Sequence, residues 1–311
     1  MFDYINIPYG KKLEALLEIT SSTKLAEALE VSRMSLVNWR DDDSKIKDEN
    51  RLKIDVEYCK CFGFDSIGPE EINRLYHELE ETSFEYFKYD EEALIHNISL
   101  HSAFGSLEIE EDNITQQQFN KVIKNREIIK DIEQRELFAI KNLSALNDKI
   151  IKDSLERRDN TECNYGIDTR EIKNIHFGLM SGIRTDAGEY STHMRIIPGH
   201  EDLYLTDARD IPEEMERWVE KYKEIKSLED VAKAHAHFEL IHPFGDGNGR
   251  VGRILMTIHC ISTGYIPPLI NKSNKALYYV FLNHAQLHNE YAHLSYFIGQ
   301  SILAMHKKFR R

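Results

Sequence analysis

The chain has 311 residues, room for roughly two domains at about 150 residues each. Its 41% hydrophobic and 10% aromatic content is enough for a buried core, and 40 Lys and Arg against 53 Asp and Glu give a net charge of −13, which excludes a surface built to coat nucleic acid or anionic membrane. Cys59, Cys61, Cys163 and Cys260 form no CxxC pair, no apolar run approaches membrane-spanning length and the first residues lack a basic-then-apolar leader, so a cytoplasmic protein without disulfide framework, zinc knuckle or membrane contact is expected.

Seven prolines and fifteen glycines, with apolar residues recurring every three or four positions, predict an all-α, mainly helical chain. The first unit, residues 1–65, reads as short helices over Lys11–Ile19, Thr23–Leu29 and Ser32–Arg40, with Ser32 as N-cap of the third. Asp41–Asp48 is charged and apolar-poor and reads as a loop. In the second unit, residues 66–311, helices are expected from Pro69 to Tyr86 and, after a break near Asn113, from Thr115 to Asn147; Glu156–Asn164 reads as a linker. Further helices are expected over Arg170–Met180, Pro212–Tyr222, Leu228–Ile241, Gly249–Thr263, Lys275–Leu287 and Ala292–Lys308. Tyr190–Leu205, which contains Pro198 and Gly199, reads as a short β-hairpin or extended flap.

Residues 242–253, HPFGDGNGRVGR, gather an imidazole, a carboxylate, an amide, two guanidiniums and closely spaced glycines between two apolar runs. Helix, tight loop, helix follows, with the second helix turning its free N–H groups and positive dipole end toward whatever the loop holds. Gly247 and Gly249 let successive N–H groups converge on one anion. Arg250 and Arg253, three apart, can both reach phosphate oxygens, and Asp246 can hold Mg²⁺ whose other sites go to those phosphates. His242 can take a proton from an attacking hydroxyl at neutral pH. The bland alternative is a glycine-rich turn with surface arginines.

The segment resembles the Fic signature HxFx(D/E)GNGRxxR at all eight specified positions, a coincidence on the order of 10⁻⁸ by chance in a chain this long. The resemblance extends over roughly Leu94–Leu303, with the core at about 169–303. It implies a helical Fic fold with a small β-hairpin flap and protein adenylylation: transfer of AMP from ATP, with Mg²⁺, to a hydroxyl side chain of a target protein, releasing pyrophosphate. Position by position, it makes His242 the general base and Asp246 the metal ligand. Gly247, Asn248 and Gly249, in one loop with Gly245, become the α- and β-phosphate cradle; Arg250 takes the β-phosphate, Arg253 the γ-phosphate, and Phe244 anchors the loop.

The flanks extend the likeness. Gly178–Tyr190 resembles the family's helix and turn ahead of the flap, whose Thr192, His193, Met194 and Arg195 would dock the target; the arginine common after that tyrosine is Ser191 here, with Arg195 as its nearest substitute. Tyr279, Leu282 and Gln286 share one helical face, which suits an ordinary core stripe and also resembles the family's adenine pocket. Ser106 and Glu110, on a helix at about 94–115, resemble the inhibitory motif (S/T)xxxE(G/N), with Glu111 in place of Gly or Asn. The resemblance implies that Glu110 pairs with Arg253 and keeps it from the γ-phosphate.

Thr23–Arg40 resembles a helix-turn-helix with Val31-Ser32 at the turn, apolar Leu36 and Val37 facing inward and Glu30 where glycine is usual. Arg33, Asn38 and Arg40 could touch DNA, yet Lys11–Asp65 carries ten Lys and Arg against twelve Asp and Glu, 10 − 12 = −2, a weak footprint for duplex binding that suits a structural or protein-docking role as well. Two other readings stay open: a DNA-binding regulator whose Fic core senses nucleotide, and a transferase using another nucleotide or phosphodiester donor. A homodimer is also compatible.

Overall fold

The computed structural model describes residues 5, 7–64, 67–80, 82, 91–110, 113–125, 132–159, 167–197 and 202–309. Among these, every regular element is helical. The order is α1 (Tyr9–Ile19), α2 (Ser22–Ala28), α3 (Arg33–Asp41), a 3₁₀ turn (Asp43–Lys45), α4 (Asp48–Phe62), α5 (Pro69–Leu79), α6 (Glu91–Glu110), α7 (Gln116–Asn120) running into a π turn (Lys121–Asn125), and α8 (Gln134–Asp159). Then follow α9 (Thr169–Met180), α10 (Ile211–Lys221), α11 (Leu228–Ile241), α12 (Asn248–Ser262), α13 (Lys275–His288) and α14 (Ala292–Phe309).

Helix α12 is the axis. Thirteen of its fifteen residues are buried, the mark of a helix enclosed on all sides rather than floated on a surface. Helices α6, α8, α9 and α11 pack against it. Val251, Ile254, Leu255 and Ile258 feed one apolar core with α8, α9 and α10, while Met256, Cys260 and Ile261 feed a second with α5, α13 and α14. Burying α12 fixes the direction of its N-terminus, where the glycine-rich loop ends.

Local chemistry explains most boundaries. Ser32 accepts from the Ser35 N–H at 3.1 Å and caps α3; Ser227 accepts from Asp230 at 3.1 Å and caps α11; Asp168 accepts from Glu171 at 2.6 Å and caps α9. Between α2 and α3, Glu30 takes φ +56°, the left-handed backbone that glycine usually supplies.

Several expectations need correction. The sequence reading places no helix over 48–62, yet α4 is fifteen residues long. Ile54 enters a small N-terminal core with α1, α2 and α3, whereas Leu52, Val56 and Cys59 enter the core shared with α13 and α14. A helix buried on two faces has no single apolar stripe to read. The stretch from Thr115 is not one helix: Thr115 and Gln118 cap each other at the start of α7, and α8 begins only at Gln134. Glu156–Asp159 belong to α8 rather than to a linker, and 160–164 lie outside the described residues. So do Tyr86, Glu111, Cys163, Pro198, Gly199 and the boundary at 65–66. The flap has no strand among the described residues; its ends bond beside the end of α11, with Ser191 N–H donating to Pro243 O at 2.8 Å and Thr206 N–H to Leu240 O at 3.2 Å.

The N-terminal helices are pinned by a buried ion pair. Lys12 Nζ donates to Asp55 Oδ1 at 2.7 Å and to Ile5 O at 2.6 Å, and Tyr9 Oη donates to Asp55 Oδ2 at 3.1 Å; both charged side chains are fully enclosed. Removing one partner strands the other charge, so Lys12→Met is expected to destabilise α1–α4 by about 3–5 kcal/mol in denaturant unfolding, and pairing it with Asp55→Leu to recover most of that loss.

Candidate active site

Helix α11 ends on His242, whose φ +50° and ψ +55° are left-handed, a conformation that costs a non-glycine residue and turns the chain sharply into Pro243. The loop then closes on Asn248: its Oδ1 accepts from Phe244 N–H at 2.8 Å and its Nδ2 donates to Phe244 O at 2.7 Å. Phe244 is enclosed and stacks on His176 of α9, ring centroids 3.8 Å apart and 8° from parallel. His176 has its Nε2 on Asp246 O at 3.0 Å, while its Nδ1 accepts from Gly188 N–H at 2.8 Å. Burial holds this ring at about 4, so it is neutral at physiological pH and the tautomer is set by these two bonds. Phe244, Asn248 and His176 therefore build the loop rather than line the cleft. His176 was not legible from spacing, since it lies 66 residues before His242.

Gly247 takes φ +81°, and a β-carbon there would stand 2.9 Å from Met180 Sδ. Its N–H donates to Asp246 Oδ1 at 2.6 Å. Asp246 is partly exposed and also contacts Arg250 at 3.4 Å and Arg135 of α8 at 3.3 Å. Gly245 lies beside the Arg184–Asp186 pair. The backbone N–H groups at the first turn of α12, from Asn248 onward, have no helical acceptor and remain for an anion.

That position carries a carboxylate of the chain's own. A β-carbon on Gly249 would lie 2.6 Å from Glu110 Oε1 and 3.0 Å from Arg253 Nη1, which places the Glu110 carboxylate over the start of α12. Arg253 Nη2 donates to Glu110 Oε1 at 2.7 Å and to Ser106 O at 3.2 Å, and its Nε donates to Ser106 Oγ at 2.9 Å. Burial alone would raise the Glu110 pKa, but the Arg253 charge outweighs it and holds the group below the usual carboxylate range. Arg250 is buried, and its Nε has no hydrogen-bond partner among the described residues.

A cleft of about 700 Å³, counting its open mouth, runs from this pair between α11, α13 and the flap, a size suited to a small ligand. Glu110, His242, Gly249, Arg253, Tyr279, Leu282 and Gln286 all line it, together with Glu239, Tyr278 and Asn283, which the motif reading did not single out. Both tyrosines border the cleft, but Tyr278 is enclosed, its hydroxyl bonded to His235 Nε2 at 2.7 Å, and Tyr279 is the more open of the two. His242 presents Nδ1 to Glu239 O at 3.3 Å, which leaves Nε2 without a proton when the ring is neutral; burial, with the Arg195 charge nearby, holds the ring at about 4.

Arg195 anchors the flap. Its Nε donates to His242 O at 2.9 Å, and its Nη2 donates to Thr206 O at 2.6 Å and Ile241 O at 3.0 Å, collecting carbonyls left open at the end of α11. Ser191 joins through its backbone rather than its side chain. Thr192, His193 and Met194 face outward, and Met194, Ile196 and Tyr204 are 84%, 67% and 94% exposed.

Residues 166–260, which hold this loop and the helices on either side, match the Fic/DOC family. They form a Fic domain. Over 120 residues the chain is 33% identical to Protein adenylyltransferase Fic of Drosophila erecta, covering 37% of this chain and 24% of that protein; for the Drosophila melanogaster protein of the same name the identity is 30% over 119 residues, covering 37% and 24%. The chain thus spans about a quarter of the length of these relatives. Among solved structures, Fic-1 of Caenorhabditis elegans (residues 134–508) superposes with a TM-score of 0.65 at 17% identity, covering 95% of this chain and 89% of that one. A Fic family protein from Desulfovibrio desulfuricans G20 gives 0.62 at 22%, covering 78% and 74%. At these identities the superpositions establish the fold.

If Arg195 anchors the flap of the Fic domain, Arg195→Ala is expected to speed limited proteolysis within 191–206 by roughly ten-fold, the loss of one charged hydrogen-bond cluster of about 1.5–3 kcal/mol, with helix content unchanged by circular dichroism.

Proposed function

We propose that this chain is a protein adenylyltransferase that transfers AMP from ATP to a hydroxyl side chain of another protein and is restrained by its own Glu110. The observation that carries the reading is the convergence on one cleft of a neutral imidazole, the Arg253 guanidinium, the start of α12 and an aromatic-aliphatic wall. The names of the Drosophila relatives support the transferase class.

In this reading the adenine ring lies against Tyr279 and Leu282, with Gln286 at its edge, and the phosphates reach the first turn of α12. Arg250 and Arg253 take the β- and γ-phosphates as bidentate donors. Asp246 suits Mg²⁺ as a partly exposed carboxylate beside the phosphate site, a hard oxygen ligand for an ion that keeps several waters and shares phosphate oxygens. The ion would neutralise charge on the phosphates as pyrophosphate departs. The target hydroxyl gives its proton to His242 Nε2 as its oxygen bonds to the α-phosphorus and the bond from that phosphorus to the bridging oxygen breaks. The exposed Met194, Ile196 and Tyr204 offer an apolar landing for the target segment.

Glu110 restrains the site by geometry. Its carboxylate stands where an anion would meet the α12 N-terminus and occupies the Arg253 fork. The triphosphate must displace it or bind with its α-phosphorus out of line.

For the N-terminal helices we favour protein docking over operator binding. Helix α3, which would enter the groove, buries Leu36 but exposes Met34 and, against expectation, Val37, and it ends on Asp41 with Asp42 and Asp43 next.

With Mg²⁺, α-labelled ATP and cell lysate, Glu110→Gly is expected to raise protein labelling roughly 10- to 100-fold, the equivalent of one charged hydrogen bond of about 1.5–3 kcal/mol. Adding His242→Ala should abolish it. Because the folded His242 ring is held at about 4 and Glu110 is one of the charges that raise it, the acid limb of labelling by Glu110→Gly should lie at or below about pH 4 rather than near the ordinary ~6.5. No label from any variant while nucleotide binds would overturn the transferase reading.

A further inference from the structure

Glu239 has no part in the reading above, yet it is buried beside its centre. It lies one helical turn before His242 on α11 and lines the same cleft, with 6% of its surface exposed. Its Oε1 has no hydrogen-bond partner among the described residues. The same oxygen is wedged so closely against α12 that a β-carbon on Gly252 would stand 2.1 Å from it. Its Oε2 faces Nδ1 of His242 at 4.0 Å.

A buried carboxyl with a bare oxygen costs stability, and an apolar side chain filling the same notch would avoid that cost. Burial pushes the Glu239 carboxyl up to about 8 despite the pull of Arg253, so the group is mostly uncharged at neutral pH. In either protonation state one oxygen can still accept a hydrogen bond. The arrangement of an imidazole with its outer nitrogen on the cleft and its inner nitrogen facing an enclosed carboxyl is how a general base is commonly oriented.

We propose that Glu239 is a positioning residue for His242: held in the Gly252 notch, its carboxyl supplies a second acceptor for the Nδ1–H edge of the ring and keeps Nε2 bare toward the cleft. The Glu239 carbonyl at 3.3 Å is the first acceptor. When the hydroxyl proton arrives at Nε2 and the ring becomes cationic, Nδ1–H strengthens as a donor, and a movement of about 1 Å brings Oε2 to hydrogen-bond distance. The kinetic part of this proposal rests on the adenylyltransferase reading; the tautomer part does not.

The test compares Glu239, Glu239→Gln and Glu239→Leu in the Glu110→Gly chain. Glu239→Leu is expected to raise the thermal midpoint while lowering kcat by about 30-fold or more with KM for ATP within about three-fold, the pattern of a contact made in the transition state. Glu239→Gln, which keeps a carbonyl oxygen in the notch, should recover part of that rate. Nitrogen-15 shifts of the His242 ring should report the Nδ1–H tautomer in the parent and a rise of the Nε2–H tautomer in Glu239→Leu. Turnover within two-fold of the parent, or unchanged tautomer populations, would show that Glu239 merely fills space. Should Glu239→Leu not fold, Glu239→Gln carries the comparison: full turnover together with an unaltered ring environment overturns the proposal. If the parent labels nothing, the transferase reading fails and the tautomer comparison still decides the role of Glu239.

Discussion

Two hydrogen bonds between the Asn248 side chain and the Phe244 backbone hold the whole site in register. They close the turn between α11 and α12, and everything chemical hangs on that closure. With the turn shut, His242 is carried into a left-handed kink at the end of one helix, and the open N–H groups of the next helix face the same cleft. Phe244 then has only one place to go, between His176 and the core. The enclosure of α12 supplies the rigidity: a helix buried on every side cannot rotate to relax a strained loop at its end.

The 242–253 segment was legible because its residue types and spacing state both the turn and the chemistry. Arg253 stands four residues, about one helical turn, after Gly249, so it lies beside that residue and within reach of Ser106 and Glu110 on α6. That contact was expected only through resemblance, since no local pattern connects residues 143 positions apart. The partners His176, Arg135, Arg195 and Glu239 act through tertiary placement. His176 is an ordinary histidine in an amphipathic helix until α9 sets it under the loop. Arg195 reads both as a docking residue of the flap and as the substitute for the arginine missing at Ser191, and its guanidinium collects carbonyls at the end of α11.

Helix α4 is missed because it is buried on more than one side. Helix α4 sends Ile54 to one core and Leu52, Val56 and Cys59 to another, so its apolar residues fail the test for a single face. The flap fails differently. Its sequence has the length and turn residues of a hairpin, and its described ends bond to the carbonyls of Leu240 and Pro243. Local propensity cannot reveal an acceptor so far along the chain, as Leu240 is from Thr206 and Pro243 from Ser191.

The shared role of α4 has a consequence for how the two units can be handled. Phe64, just beyond α4, packs on Phe281 with ring centroids 4.5 Å apart, on the same helix that presents Tyr279, Leu282 and Gln286 to the cleft. One side of α13 therefore forms a wall of the cleft and another is covered by the N-terminal segment. Cutting the chain near residue 65 would not release a self-contained enzyme. It would uncover an apolar surface on the helix that shapes the cleft, and whatever seats or tilts α1–α4 has a solid mechanical path to that wall.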